Sequence, residues 1–183
     1  LWICDGGNRR LLGLDTEDRP AIEISFTPFA PLDGFFPRTG LALDGLFLVI
    51  LEHPVSRERS LVSLDPADPA ASLRVHELGG AVNPLRLYGH DHEALLLDWP
   101  GDRACLFDPE RGALRPLRQG LRRELVRGVI SGDGFVHLLS DRRLLKARQD
   151  GRPVYDYDLA DATGVSGMAP LAMAKAEWAD ERR

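Results

Sequence analysis

Four short apolar runs in this chain each end in an acid, and the acids recur at nearly even intervals. They are Asp5, Glu52, Asp98 and Asp141, spaced 47, 46 and 43 residues apart. Behind each acid come a polar turn, an arginine, a second apolar run and a further aspartate: Asp15, Asp65, Asp108 and Asp150. A self-similar period of roughly 40–50 residues marks an architecture of stacked units, none of which buries its faces alone. Apolar runs this short, paired across turns, are strands and not helices.

The best-formed unit spans residues 39–80. Gly40 to Leu43 reads as a first strand, Asp44-Gly45 as a hairpin turn, and Leu46 to Leu51 as a continuously apolar strand buried on both faces. Ser60 to Leu64 is the third strand. Asp65-Pro66 opens a turn, and Leu73 to Leu78 forms a more polar, outermost fourth strand. Residues 84–119 and 124–160 repeat this order, with Pro116 in the third unit's last strand, where only a sheet edge tolerates it. Residues 1–30 lack the opening strand. The expected fold is therefore an all-β propeller of four four-stranded antiparallel blades, the first incomplete. The tail, 161–183, either supplies a closing strand to the first blade, begins a fifth blade, or forms a short helix from its Ala, Leu, Met, Lys and Glu content. The chain opens in mid-strand at Leu1-Trp2-Ile3-Cys4, with no initiator methionine, and so is expected to be part of a larger propeller.

Charge and composition exclude some partners. A net charge of −5 argues against nucleic-acid binding, which calls for a basic face. No apolar run approaches the length of a membrane span, so a soluble protein is expected. Cys4 and Cys105 fall in different units and read as free thiols, with a disulfide as the alternative.

The segment Leu1 to Asp15, an apolar strand followed by Asp5-Gly6-Gly7-Asn8-Arg9-Arg10 and a second strand ending in Asp15, resembles the NHL-type propeller repeat. The other units keep the acid, the arginine and the final aspartate but lose the Gly-Asn. More distantly, the chain resembles the SMP-30/gluconolactonase-like propellers. The resemblance implies a propeller of five to seven blades, the six-bladed TolB-like form among them.

Ligands of propellers bind at the channel mouth, on the face carrying the loops between second and third strands. Asp5, Glu52, Asp98 and Asp141 all stand at the start of such loops. Together they have the chemistry to hold a hard cation such as Ca²⁺, which in the SMP-30-like resemblance implies a metal that polarises a lactone. The other reading is structural: each acid accepts N–H bonds in its own turn and pairs with the arginine behind it, Arg10, Arg59, Arg103 or Arg143. The second set, Asp15, Asp65, Asp108 and Asp150, is turn chemistry at the opposite end.

What differs between the units is the better guide to a ligand. His53 stands beside Glu52 and titrates near neutrality when free. Trp99 and Asn8 occupy the corresponding loops of other units. Phe35 and Phe36 lie in a long apolar connection, Phe29 to Arg38, placed to wall a pocket. His90-Asp91-His92 has a chelating composition but sits where the other units place a hairpin turn. Arg115, Arg118, Arg122, Arg123 and Arg127 form a local basic cluster, read as a solvated loop, with contact to an acidic partner or a phosphate as the alternative. The leading expectation is a binding module that recognises a protein or a small ligand at its loop face. The alternative is a Ca²⁺-dependent lactonase- or esterase-like hydrolase.

Overall fold

A computed structural model describes residues 1–29, 32–78, 83–90, 92–98, 103–118, 125–130, 134–140 and 143–158. These form four antiparallel sheets, each a meander of strands consecutive in sequence. The first sheet holds β1 (Trp2–Asp5), β2 (Arg10–Leu14) and β3 (Pro20–Ser25). The second holds β4 (Phe36–Leu43), β5 (Leu46–Glu52), β6 (Arg59–Leu64) and β7 (Arg74–His76). The third holds β8 (Pro84–His90), β9 (Glu93–Asp98), β10 (Ala104–Asp108) and β11 (Ala113–Arg118). The fourth holds β12 (Leu125–Ile130), β13 (Phe135–Ser140), β14 (Arg143–Arg148) and β15 (Pro153–Asp158). Strands β1, β4, β8 and β12 of successive sheets adjoin one another, so the sheets are arranged around their innermost strands as blades. The fold is all-β, as the repeat predicts.

Side-chain alternation explains the stacking. On β5, Phe47, Val49 and Leu51 pack with Leu11, Ile24 and Phe26 of the first sheet. Leu48 and Ile50, on the other face, pack with Leu87, Ala94, Leu96 and Phe107 of the third. Strand β9 repeats the device: Ala94 and Leu96 face the second sheet, while Leu95 and Leu97 pack with Val136, Leu138 and Leu145 of the fourth. A strand sandwiched between two sheets must be apolar at every position, which is why Leu46 to Leu51 and Ala94 to Leu97 lack the usual two-residue alternation. At about 25 cal/mol per Å² of apolar surface removed from water, these three inter-sheet cores dominate the stability of the fold.

The turns obey local chemistry. Asp15 accepts from the Glu17 and Arg19 amides at 2.8 and 2.9 Å, Asp65 from Ala67 at 2.8 Å, Asp108 from Glu110 at 3.0 Å, and Asp150 from Arg152 at 2.9 Å. Each closes its own turn by the side-chain-to-backbone bonds expected of Asx residues. Two glycines serve close approach. A Cβ on Gly40 would lie 2.6 Å from the Phe47 ring, and one on Gly89 would lie 2.7 Å from Leu43 of the neighbouring sheet.

Two details depart from the sequence reading. Strand β4 begins at Phe36, four residues before the expected start at Gly40, so Phe36 and Arg38 leave the connection and join the sheet. Phe36 pairs with Glu52 and Pro37 with Leu51, and a bulge between Pro37 and Thr39 accommodates the proline. The turn after Asp65 winds into a one-turn helix, α1 (Pro69–Ser72), with Asp68 as its N-cap and proline at its first position. Pro116 lies on β11, an edge strand, as its missing N–H demands.

Cys4 and Cys105 are free thiols. Among the described residues no helix is long and apolar enough to cross a membrane. Trp99, Asp141, Asp91 and the tail 161–183 lie outside the described residues.

Candidate functional site

Antiparallel connectivity brings particular loops to one end of the blades. In the second and third units the start of the first strand and the link between second and third strands fall together, as the pairs Phe36 with Glu52 and Pro84 with Asp98 show. In the first unit this link is the 3₁₀ turn Gly6–Asn8, and it adjoins β4. There Gly6 packs so closely on Phe36 that an added Cβ would lie 3.2 Å from the ring. Asn8, Phe36, His53 and the acids Asp5 and Glu52 thus share one continuous end of the first two sheets.

Asp5 caps its turn. Its carboxylate accepts from the Asn8 amide at 3.4 Å, from Asn8 Nδ2 at 2.8 Å and from Arg10 Nε at 2.8 Å, and Arg10 reaches on to Glu23 at 2.9 Å. The Asn8 side chain first, then the Arg10 guanidinium, hold the Asp5 carboxyl below the usual carboxylate range.

Glu52 is the most heavily engaged charge of the site. Its side chain is 1% exposed, and three guanidiniums converge on it. Arg57 Nη1 donates to Oε1 at 2.8 Å, Arg59 Nε donates to Oε2 at 3.0 Å, and Arg38 Nε lies 3.4 Å from Oε2. Burial pushes this carboxyl up, but the bonds from Arg57 and Arg59 and the charge of Arg38 outweigh it, so its pKa falls below the usual value. The register explains the convergence: Phe36, Glu52 and Arg59 stand side by side on β4, β5 and β6, with Arg38 next along the same edge.

The loop from Glu52 to Arg59 is locked from within. The His53 amide donates to the Glu58 carbonyl at 2.8 Å, the Arg57 amide to the His53 carbonyl at 3.0 Å, and the Ser56 amide to His53 Nδ1 at 3.2 Å. With Nδ1 accepting, the proton of neutral His53 sits on Nε2. The ring stands edge-on to Phe35 at 5.5 Å and presses on Gly34, whose φ of +87° suits glycine. Arg57 takes a left-handed φ of +60°, unusual for a residue with a side chain.

Asp98 is also buried, and it accepts from the Asn83 amide at 2.7 Å. By strand parity Glu52 follows Leu48 and Ile50 toward the third sheet, and Asp98 follows Ala94 and Leu96 toward the second. The two acids therefore lie on facing sides of neighbouring blades.

Among the described residues, no group of three or more His, Cys, Asp or Glu side chains gathers at one point. The donor set of Asp5 and Glu52 does not fit a divalent cation. Each of their oxygens already accepts an N–H bond, and the guanidiniums around Glu52 repel added positive charge.

Of the residues singled out in the sequence, Asn8 is exposed and Phe36 is half-buried against Gly6 of the same turn. Phe35 is 9% exposed and belongs to the core beneath, where it positions His53. His92 lies 3.3 Å from Asp44 of the second sheet, while its sequence partner Asp91 lies outside the described residues. Arg115 lies 3.2 Å from Glu93. Sequence reasoning paired each acid with one arginine and passed over Arg38 and Arg57. Arg57 is marked only by its place in the Ser56-Arg57-Glu58-Arg59 run, and Arg38 was hidden in a stretch read as a loop.

No family model matches the sequence, and no curated protein matches it. Solved structures do. The chain is similar to a gluconolactonase from Xanthomonas campestris at 16% identity and a TM-score of 0.61, over 86% of this chain and 57% of that one. It is similar to a streptogramin B lyase at 11% identity and a TM-score of 0.62, over 86% of this chain and 50% of that one. A third match is regucalcin from Agrobacterium tumefaciens, a calcium-binding protein, at 10% identity and a TM-score of 0.50, over 86% of this chain and 69% of that one. The chain spans about half the length of the first two. These neighbours are β-propellers, and the likeness establishes that fold.

Proposed function

We propose that the protein is a propeller binding module whose ligand, a protein or a small molecule, docks on the loop end of the first two blades. The observation that carries this reading is the internal locking of that end. Asp5 with Arg10, and Glu52 with Arg38, Arg57 and Arg59, hold the loops that present Asn8 and His53 beside Phe36 of β4. A surface fixed before the ligand arrives loses little entropy on binding. In this reading Phe36, His53 and Asn8 form the contact surface and Phe35 supports His53 from beneath. Trp99 is carried as a candidate on its position in the sequence.

The competing reading is a Ca²⁺-dependent lactonase- or esterase-like hydrolase. The likeness to a gluconolactonase and to a calcium-binding regucalcin speaks for it. The guanidinium-filled surroundings of Glu52 speak against the first two acids as its metal ligands.

A screen of small ligands and peptides by backbone NMR tests the proposal. Shift changes concentrated at residues 5–10, 35–38 and 52–59, and lost in the Phe36→Ala and His53→Ala variants, are expected. Changes confined to other surfaces overturn it. A rise in melting temperature with added CaCl₂, accompanied by Ca²⁺-dependent hydrolysis of gluconolactone, would replace it with the hydrolase reading.

A further inference from the structure

The arginines on Glu52 outnumber what a structural ion pair requires. One or two guanidiniums neutralise and solvate a buried carboxylate; here three converge, leaving a local excess of positive charge. None of them uses its bidentate fork. Arg38 and Arg59 approach through Nε alone and Arg57 through one Nη, although each guanidinium carries five N–H donors. The Arg38 and Arg57 side chains are 49% and 70% exposed, so their remaining donors face outward.

A second observation points the same way. Arg59 is 11% exposed, and its Nη1 is the one buried side-chain nitrogen or oxygen among the described residues with no hydrogen-bond partner. Buried donors are almost always satisfied, and an orphan on a charged group is costly. The surroundings are also prepared for a partner. Arg57 is held at a φ of +60°, an uncommon conformation for a residue with a side chain, within a loop closed by its own hydrogen bonds. Backbone strain of this kind gathers where a side chain must be presented to a ligand. Arg38 lies over the Phe36 ring at 6.0 Å, which restrains its guanidinium.

We infer that the exposed donors of Arg38 and Arg57, backed by the buried positive charge of Arg59, form an oxyanion-binding subsite, taking the carboxylate or phosphate group of a small-molecule ligand. Paired N–H donors on a rigid plane match the oxygen spacing of both groups, which lysine does not. Glu52 acts as the internal counter-ion that keeps the three cations assembled when the site is empty. Asp98, on the facing side of the third sheet, and Glu58 in the loop are the other acids at this end. The inference rests on the reading of this loop end as the ligand face and assigns the chemistry of what binds there.

Titrations with inorganic phosphate and with citrate, followed by NMR of the backbone and of the arginine Nε–H groups, test it. NaCl at matched ionic strength and glucose serve as charged and neutral controls. Saturable changes at residues 34–38 and 52–59, including Arg59 Nε–H, are expected from at least one anion. The stronger of the two identifies the phosphate or the carboxylate as the recognised group. The Arg57→Asn variant, whose residue tolerates positive φ, should remain folded with a melting temperature lowered by loss of the bond to Glu52 Oε1, and should lose affinity at least tenfold. Arg38→Gln should behave in the same direction. Equal affinity in Arg57→Asn, or changes that NaCl reproduces, overturn the inference. Saturable binding of glucose at these residues with none of either anion also overturns it while leaving the ligand face in place. If no probe perturbs these residues, the oxyanion subsite falls, and the ligand screen decides the wider reading separately.

Discussion

Arg59 donates its Nε to Glu52 at 3.0 Å across adjacent strands and leaves its own buried Nη1 without a partner. This pair joins β5 to β6 at the loop end of the second blade, as Arg10 with Asp5 joins β1 to β2 in the first. The acid-then-arginine pattern is thus a stitch across a hairpin, and in the second blade the stitch has gathered extra cations.

Replacing Glu52 with alanine should destabilise the protein by about 2–4 kcal/mol, because Arg59 would remain buried and uncompensated. The contribution from the exposed Arg38 and Arg57 is smaller, since solvent screens them. Glu52→Gln should cost less, its amide oxygen still accepting one bond. Urea unfolding followed by tryptophan fluorescence measures both. Equal stability of the alanine variant and the wild type would show that the cluster contributes nothing to the fold.

Acidification should weaken the fold in two steps. His76 has its pKa lowered, by burial first and then by Arg74, so the unfolded chain takes up its proton more readily. Stability should therefore decline as pH falls below about 6.5, the value of a free histidine. Glu52 also has a lowered pKa, and its contribution is complete above the free value of about 4.3 and lost as pH falls through the folded-state value. His76 Nε2 lies 2.7 Å from Ser63 Oγ, so in His76→Gln, which keeps a polar partner for Ser63, the upper step should disappear from a plot of urea midpoint against pH.

Gly89→Ala should destabilise by about 1–3 kcal/mol, because the new methyl meets Leu43 and Leu41 across the gap between the second and third blades. Gly45→Ala makes a useful contrast. It meets no atom within 4 Å and pays only for its φ of +77°, about 1 kcal/mol. A Gly89→Ala variant as stable as the wild type would mean that the inner strands are farther apart than described.

Cys105 should resist alkylation. Burial, then the negative charge of Asp98, raise its thiol to about 11. At pH 8 so little thiolate forms that iodoacetamide should react on the order of a hundredfold more slowly than with free cysteine. Cys4, half-buried and also shifted upward by burial, should be modified first. Mass spectrometry of the time course orders the two sites.

The legible part of this protein was what a single strand or turn enforces. Continuous apolar runs at Leu46 to Leu51 and Ala94 to Leu97 reveal strands buried on both faces, and Asp15, Asp65, Asp108 and Asp150 reveal turns, because both signals act within a few residues. The start of β4 was not legible, since Phe36 and Pro37 belong to the sheet only through their partners Glu52 and Leu51. The candidate site was half visible. His53 and Phe36 stood out as departures from the repeat, whereas Arg38 and Arg57 became meaningful only once the structure placed them on one carboxylate.

The recurring acids mark the division between the two levels. By itself the sequence determined their period and, through it, the all-β repeat, because hydrophobic alternation and turn chemistry are local. Only the tertiary structure decided what Asp5, Asp98 and Glu52 do. Asp5 caps a turn, Asp98 accepts an amide across its blade, and Glu52 holds three guanidiniums drawn from strands and a loop up to 21 residues apart in sequence, Arg38 to Arg59. Electrostatic partners are chosen by distance in space, and that distance exists only after the sheets have paired.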